Sequence, residues 1–272
     1  MDFGIFSWFG FVLPLKTRFQ LIREAGFLAV CTWWEDLDPA SDGPRLCQRE
    51  LAESQGLRLE NAHLPYYGCD ALWKEGLVGD AFLEGYLKDV AQAAEGGIST
   101  LVLHPFELDV PKQGQFPLFL SRLRRLGDAA ERAGVRLAVE NLKNWPALIR
   151  ILDALWDHPA LGFCFDSGHG NVVAPGDFSL LDRYGEKLFA IHMHDNNGKQ
   201  DQHLLPGEGN LPWKALLPPL KDTGYPGAFM LESCYPFDMD TQRDAYLPPP
   251  ISPEEYLSQA KAACDRVFAK AQ

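Results

Sequence analysis

The stretch GVRLAVENLKNWPALIRILDALWDHPALGFCFDSGHG, residues 134–170, contains one complete repeat unit of the fold. Two short apolar runs, each typical of a buried strand, end in Glu140 and Asp166. Between them, Pro146 opens a helical segment, since proline is favoured in the first turn of a helix. Two buried strands joined by a helix predict a parallel β-α-β unit that carries both carboxylates at neighbouring strand ends.

The same alternation extends in both directions along the chain. Six apolar runs end in a residue that can bind a metal or transfer a proton, namely His63, His104, Glu140, Asp166, His192 and Glu232. Two earlier runs, residues 3–6 and 27–32, bring the number of predicted strands to eight. A helical segment follows each strand, including one near Asp42–Gln55. We therefore predict one α/β domain over residues 1–272, a single (β/α)8 TIM barrel.

An open, doubly wound sheet is the alternative fold for this alternation. No G-x-G-x-x-G turn follows the first strand, so nothing supports a dinucleotide-binding site. The long segment Cys234–Pro250 is expected either to close over the site or to pack on a second subunit, so a homodimer or homotetramer is plausible.

Composition and charge restrict the classes of partner. No apolar run is long enough to cross a bilayer, and the N-terminus lacks the basic start of a signal peptide. The six cysteines form no C-x-x-C pair, so we expect reduced thiols, a cytoplasmic location and no membrane partner. The formal net charge of -12 argues against nucleic acid as a partner. The basic cluster Arg122–Arg125 is expected to be a solvated helix face.

The last four of the six strand ends carry Glu140, Asp166, His192 and Glu232. Three carboxylates and one imidazole suit Mn²⁺, Mg²⁺, Co²⁺ or Zn²⁺. Without a cation, three convergent carboxylates would repel one another, and their pKa values would rise. We therefore predict that these four residues hold one divalent metal ion. Taken alone, each of them is more simply explained as an ordinary strand end, capped by a loop amide or paired with Lys or Arg.

A second group of polar residues is expected around the metal. We predict that these residues bind substrate or hold additional metal ions: His63, His104, His169, Asp201 and His203. Asp195 is expected to orient an imidazole from outside the metal site. His194 is expected to point away from the barrel lumen or into the following loop, and His158 to lie on the surface.

Aromatic residues follow most of the predicted strands. Trp8 follows the first strand, Trp33 the second and Trp145 the fifth, and we expect these rings to line a pocket. Rings offer apolar faces to C–H groups while polar neighbours bind hydroxyls, so the pattern favours a small sugar as the substrate. Plain packing at the barrel rim is the alternative for each ring.

Five segments together resemble the xylose isomerase-like TIM barrel superfamily, over nearly the whole chain. They are VLHPF (102–106), LAVENL (137–142), FCFDSGHGN (163–171), IHMHDNNGKQDQHLLPGEGN (191–210) and FMLES (229–233). The superfamily contains sugar and sugar-phosphate isomerases and epimerases, and also endonuclease IV. In the isomerase and epimerase branch, the resemblance implies that Glu140, Asp166, His192 and Glu232 hold one divalent metal. It also implies that the two glutamates exchange protons with the substrate and that His169 contacts the sugar.

In the endonuclease branch, the resemblance implies a cluster of three zinc ions. The matching ligand positions are His63, His104, Glu140, Asp166, His169, His192, Asp201, His203 and Glu232. The acidic composition counts against a DNA enzyme, as does the loop from Asp195 to Asp201, whose one positive charge is Lys199.

We therefore expect a divalent-metal-dependent isomerase or epimerase that acts on a ketose or a related polyol-ketone. One of Glu140 and Glu232 would remove a proton next to the carbonyl, giving a metal-stabilised enediolate, and the other would return a proton. The alternatives are an endonuclease IV-like multi-zinc phosphodiesterase, a keto-inositol dehydratase, and a barrel that binds a sugar without converting it.

Overall fold

The computed structural model describes residues 1–35, 44–107, 109–235 and 250–269. Within these ranges, eight parallel strands alternate with helices along the chain. The strands are β1 (Phe3–Phe6), β2 (Ala29–Trp33), β3 (Arg58–His63), β4 (Thr100–Leu103), β5 (Arg136–Glu140), β6 (Leu161–Asp166), β7 (Leu188–His192) and β8 (Phe229–Leu231). The helices are α1 (Leu15–Glu24), α2 (Gln48–Ser54), α3 (Leu77–Glu95), α4 (Phe116–Ala133), α5 (Trp145–Leu155), α6 (Ser167–Val173), α7 (Ser179–Tyr184), α8 (Trp213–Asp222) and α9 (Pro253–Ala269).

The sheet closes almost completely on itself. Each strand from β1 to β6 pairs with the next along the chain, and β8 pairs with β1. Between β7 and β8, Met193 lies opposite Leu231 in a parallel bridge. The Met193 N–H donates to Met230 O at 2.8 Å, and the Glu232 N–H donates to Met193 O at 2.9 Å. The predicted TIM barrel is therefore confirmed, and all eight strands point their carboxyl ends at one rim.

Large apolar side chains of the helices pack against the barrel. Phe19, Phe119 and Ile151 are fully buried on α1, α4 and α5. Each such side chain stabilises the fold by about 1.5–3 kcal/mol. A separate buried cluster consists of Val102, Ala138, Cys164 and Ala190, one residue from each of the strands β4 to β7.

Two helices differ from the sequence prediction. The helix expected near Asp42–Gln55 begins at Gln48, after a 3-10 turn at Arg45–Cys47, while residues 42 and 43 lie outside the described ranges. Helix α6 was not predicted, since glycines at 168 and 170 weaken a helical pattern. It begins directly after β6 because the Asp166 side chain accepts a hydrogen bond from the His169 N–H at 2.6 Å.

The prediction of a surface position was wrong for Arg122 and His158, which are buried, whereas Arg125 of the same basic cluster is exposed as predicted. The Arg122 guanidinium donates to the carbonyl oxygens of Leu72 and Lys74, at 3.0 and 2.7 Å, because this face of α4 packs on the segment after β3. His158 is 4% exposed. Its Nδ1 accepts from the Ala160 N–H at 3.2 Å, which leaves the proton on Nε2, 3.1 Å from Asp128 Oδ1.

The sequence also predicted reduced cysteines and no segment that crosses a membrane. All six cysteines are free thiols, and Cys47 is the exposed one among them. Across the ranges given above, none of the helices combines the length and the apolar character that crossing a bilayer requires.

Candidate metal centre

The carboxyl ends of β5 to β8 bring Glu140, Asp166, His192 and Glu232 together. One ligand atom from each of the four lies within 4.8 Å of the others. The sheet register explains the convergence, because Asp166 lies directly opposite His192 and Glu140 directly opposite the β6 residue Cys164. Glu140, Asp166 and His192 are fully buried.

The spacing within this group fits ligands that share an ion. His192 Nδ1 lies 3.4 Å from both Glu140 Oε1 and Glu232 Oε2, longer than an ordinary N–H···O hydrogen bond. Two ligands about 2.1 Å from one tetrahedral ion are separated by about 3.4 Å. Glu140 Oε1 and His192 Nδ1 have no hydrogen-bond partner although both atoms are buried. Unpaired buried polar atoms are costly, and a divalent cation would satisfy both.

The two glutamates differ in protonation. Burial raises the pKa of Glu232 to about 8, and the neighbouring Glu140 and Asp166 carboxylates contribute. Burial also favours the neutral acid of Glu140, but His192 and His104 outweigh it and hold its pKa well below the usual range. At neutral pH, one glutamate is therefore ionised and the other protonated, which is typical of an acid and base pair.

Two further imidazoles face the second oxygen of Glu140. His63 Nε2 lies 3.1 Å and His104 Nε2 3.3 Å from Glu140 Oε2. The His63 Nδ1–H donates to Leu64 O at 2.7 Å, so a neutral ring would present its Nε2 lone pair to the carboxylate. The lone pairs of His63 Nε2 and Glu140 Oε2 would then repel each other, and a positive charge between these two atoms would remove the repulsion. Burial lowers the pKa of His104 to about 4, so this ring is neutral.

A second cluster lies beside the first. One ligand atom from each of His194, Asp201 and His203 lies within 4.8 Å of the others. Both His194 Nε2 and His203 Nε2 are 3.7 Å from Asp201 Oδ1, a buried atom without a hydrogen-bond partner. His194 Nε2 also lies 3.1 Å from Asp166 Oδ2. Asp166 therefore links the two clusters.

His169 lies between the two clusters. Its Nδ1 is 3.0 Å from Asn141 O and its Nε2 is 2.9 Å from Asp201 Oδ2. Burial opposes a charge on this ring, but Asp166 and Asp201 raise its pKa well above the ordinary value. The ring is thus a cation beside the carboxylates.

The backbone at His203 is strained. Its φ of 49° is the one positive φ at a non-glycine among the described residues. Such a conformation costs on the order of 1 kcal/mol and is concentrated at functional sites. The conformation is held by the His203 Nδ1–H, which donates to Glu232 O at 2.6 Å.

The expectations about the loop after β7 are met only in part. His194 does face this loop, since its ring stacks on the His203 ring at 4.1 Å and its Nε2 lies 3.7 Å from Asp201 Oδ1. It does not point away from the site, because the chain stays extended through Met193, and residues two apart on a strand share one face. Asp195 orients no imidazole: it accepts hydrogen bonds from the Gly207 and Leu211 N–H groups and from the Trp213 indole, at 2.8, 3.0 and 2.8 Å. Asp195 therefore holds the loop against α8.

The three predicted pocket tryptophans lie in different surroundings. The Trp33 ring is 4.8 Å from the His63 ring and so lies beside the metal cluster, the name used here for Glu140, Asp166, His192 and Glu232. Trp8 lies under the buried guanidinium of Arg18, at 5.7 Å, and Trp145 is buried at the start of α5. Most of the segment Cys234–Pro250, which was expected to close over the site or contact a second subunit, lies outside the described residues.

One structural residue of the site was missed. Asn141 follows Glu140 directly, and its side chain pairs with the backbone of Asp166, accepting from N–H and donating to C=O, both at 2.8 Å. Its position immediately after a strand-end ligand is the signal that could have identified it. The amide joins the ends of β5 and β6 and so fixes the separation of Glu140 and Asp166.

The space for the His194 ring depends on Gly168. A Cβ built at this glycine would lie 1.8 Å from His194 Cε1, in a ring with no room to retreat, whereas a Cβ at Gly170 meets nothing closer than 3.8 Å. We expect Gly168→Ala to destabilise the fold by about 1–3 kcal/mol through overpacking. Gly170→Ala on the same helix should be neutral or stabilising. Thermal unfolding of both variants measures the difference, and equal midpoints would contradict the tight packing.

Comparison with known proteins agrees with this geometry. Residues 19–258 match the family described as xylose isomerase-like TIM barrel. A putative hydroxypyruvate isomerase of Streptomyces coelicolor is 28% identical over 264 residues, which cover 87% of this chain and 91% of the relative. The 3-dehydroshikimate dehydratase of Pseudomonas putida is 29% identical over 80% of this chain. In that relative and two others of higher identity, the match spans only 36% to 42% of the relative's length.

The solved structures show the same fold. A crystal structure of D-psicose 3-epimerase with D-tagatose, from Clostridium cellulolyticum H10, superposes with a TM-score of 0.81 over 100% of both chains. Its sequence identity of 17% makes this a likeness of fold alone. Taken with the family match over most of the chain, these findings establish that the chain belongs to the xylose isomerase-like TIM barrel family.

Proposed function

We propose that the protein is a divalent-metal-dependent isomerase or epimerase of a ketose or a related polyol-ketone. The observation that carries this proposal is the placement of Glu140 and Glu232, whose oxygens Oε1 and Oε2 each lie 3.4 Å from His192 Nδ1. Two carboxylates that face one point can take a proton from one position of a substrate and return a proton to another. This exchange is the chemistry that isomerisation and epimerisation next to a carbonyl require.

Glu140, Asp166, His192 and Glu232 are the residues that would hold the metal. A bound divalent ion supplies polarisation of the substrate carbonyl and compensates the negative charge that develops on its oxygen. One of the two glutamates would remove the carbon-bound proton, and the other would return a proton. His169, held between Asn141 and Asp201, places a positive charge where substrate hydroxyls would bind.

Two activities begin with the same proton removal. The similarity to a putative isomerase favours movement of the carbonyl to the neighbouring carbon. The similarity to a dehydratase favours loss of a hydroxyl from the carbon next to the one that has lost its proton. A dehydratase is therefore a second candidate, and the product distinguishes it, because it releases water and leaves an unsaturated ketone.

A multi-zinc phosphodiesterase is a third candidate, which the cluster of His194, Asp201 and His203 favours. Together with His63 and His104 beside Glu140, this cluster offers ligands for further ions. The formal net charge of -12 opposes it, since a nucleic-acid backbone would be repelled.

The proposal is tested by solvent exchange. The metal-loaded protein is incubated in heavy water with a panel of ketoses, and deuterium on the carbons next to the carbonyl is followed by NMR. The expected result is deuterium uptake together with a second sugar isomer. Absence of exchange in every ketose, together with cleavage of abasic DNA, would overturn the proposal in favour of the phosphodiesterase.

Metal binding should depend on pH. Glu232 has a pKa of about 8 without a cation. Burial alone would lower the pKa of His192, but Cys164, Glu232 and Glu140 raise it well above the ordinary value. Both residues must lose a proton to become ligands, so affinity should rise at least roughly tenfold per pH unit below pH 8. Calorimetric titration with Mn²⁺ between pH 6 and 9 measures this, and a flat profile would be inconsistent with either residue as a ligand.

A further inference from the structure

A continuous row of aromatic rings extends from the metal cluster to the protein surface. His104, whose Nε2 lies 3.3 Å from Glu140, stacks on the Tyr66 ring at 4.6 Å between centroids with an interplanar angle of 28°. Tyr66 in turn contacts Tyr67, at 4.5 Å and 33°. Tyr67 is 67% exposed. We call Tyr66 and Tyr67 the tyrosine platform.

The tyrosine platform is held in place by the backbone on both sides of it. Before it, Pro65 O accepts a hydrogen bond from the Tyr86 hydroxyl at 2.6 Å. After it, the Gly68 N–H donates to Glu107 Oε2 at 2.6 Å, and the left-handed φ of 79° at Gly68 turns the chain sharply. An exposed ring that is fixed in this way loses little conformational entropy when a ligand binds, so the platform is preorganised.

The chemistry of the platform suits a sugar ring. Phenol rings present flat apolar faces, against which the C–H face of a pyranose packs. Polar groups lie beside these faces. The Tyr66 hydroxyl is 3.3 Å from the Tyr67 hydroxyl, and the Glu107 carboxylate accepts a hydrogen bond from the N–H of Gly68, the residue after Tyr67. Apolar faces bordered by a few hydroxyl and carboxylate groups are typical of carbohydrate subsites.

The opposite side of the cluster has a different character. There His169 and Asp201 form an ion pair at 2.9 Å, with His203 beyond them. The carbonyl and hydroxyl groups of a ketose would be bound on this polar side. On the other side, only the His104 ring separates Glu140 from the tyrosine platform. A substrate seated at the metal cluster would therefore extend along the platform toward solvent.

We propose that the tyrosine platform is a subsite for a second sugar ring, and that the substrate is a ketose bearing a glycosyl group. This inference rests on the proposed function, because the ketose part must occupy the metal cluster. Tyr67 contributes the outer face of the subsite and determines specificity, without touching the reacting atoms.

The test compares D-fructose with two glycosylated ketoses, maltulose and lactulose. Their dissociation constants for the Mg²⁺-loaded protein, whose ion is diamagnetic, are measured by saturation-transfer NMR on the wild type, Tyr67→Ala and Tyr67→Phe. At least one glycosylated ketose should bind more tightly than fructose, with saturation on the protons of its glycosyl ring. Tyr67→Ala should weaken that ligand about tenfold and fructose less than twofold, while Tyr67→Phe, which keeps the ring and loses only the hydroxyl, should weaken that ligand by less than Tyr67→Ala does.

Three outcomes would overturn the subsite: fructose binding as tightly as both glycosylated ketoses, Tyr67→Ala weakening all ligands equally, or none of the ligands binding. Deuterium uptake by the same sugars is recorded in parallel. If no sugar takes up deuterium but a glycosylated ketose still binds more tightly than fructose, the result would contradict the proposed function alone. Exchange that is equally fast with and without the glycosyl group, and unaffected by Tyr67→Ala, would contradict the subsite alone.

Discussion

Replacing Glu232 with Gln should reduce turnover by at least about 10²–10⁴-fold, and Glu140→Gln should do the same, since each variant removes one of the two groups that transfer protons. The effect should fall on kcat, because the amide keeps the size of the side chain but neither accepts nor delivers a proton. Deuterium uptake by the ketose that the wild type converts fastest is the readout.

A matched control is Glu186→Gln, an exposed glutamate before β7 at the opposite end of the barrel. It should retain the wild-type rate. Metal content must be measured for each variant, since both glutamates are also proposed ligands. A Glu140 or Glu232 variant that binds metal normally and turns over at a near-normal rate would disprove the two-base mechanism.

Removal of the metal should abolish turnover and lower the thermal midpoint. Without a cation, the carboxyl groups of Glu140, Asp166 and Glu232 lie within 4.8 Å of one another with no positive ion between them. An ion present at a hundred times its dissociation constant stabilises the fold by about 2.7 kcal/mol. For a chain of this size that corresponds to roughly 5–10 °C. Differential scanning calorimetry before and after chelation measures the shift, and Mn²⁺, Co²⁺, Mg²⁺ or Zn²⁺ added back should reverse it.

The control for chelation is His192→Ala, which removes the one imidazole of the four-residue site. Its midpoint should be low from the start and should not respond to the chelator. An equal response in this variant would show that the stabilising ion binds elsewhere, for instance at the cluster of His194, Asp201 and His203.

The barrel and the four converging strand ends could be predicted because they depend on short-range patterns. Each buried strand is an apolar run of about the expected length, and each ends at a turn or helix signal. Parallel strands that follow one another place their carboxyl ends at one rim, so Glu140, Asp166, His192 and Glu232 had to be near neighbours. The sequence could not show the 3.4 Å spacing around His192 Nδ1, which depends on rotamers and on register.

The loop after β7 was less predictable, because its conformation depends on contacts distant in sequence. Asp195 reaches the indole of Trp213, eighteen residues later, and this contact fixes the loop in a way that no local pattern reveals. His194 is a different case. Residues two apart on a strand share one face, so the side chain of His194 lies on the same face as that of His192. The expectation that it points away from the lumen assigned it to the opposite face. Helix α6 was hidden because Gly168 and Gly170 weaken its helical pattern, and Gly168 leaves the space that the His194 ring occupies.

We propose that this chain holds one divalent ion on Glu140, Asp166, His192 and Glu232 and uses it for proton transfer next to a carbonyl. Elemental analysis of protein purified without chelator, expressed as metal per chain, tests it most directly. About one ion per chain in the wild type, lost in His192→Ala, is the predicted result. About three ions per chain, mostly zinc, would contradict the single-ion site and favour the phosphodiesterase.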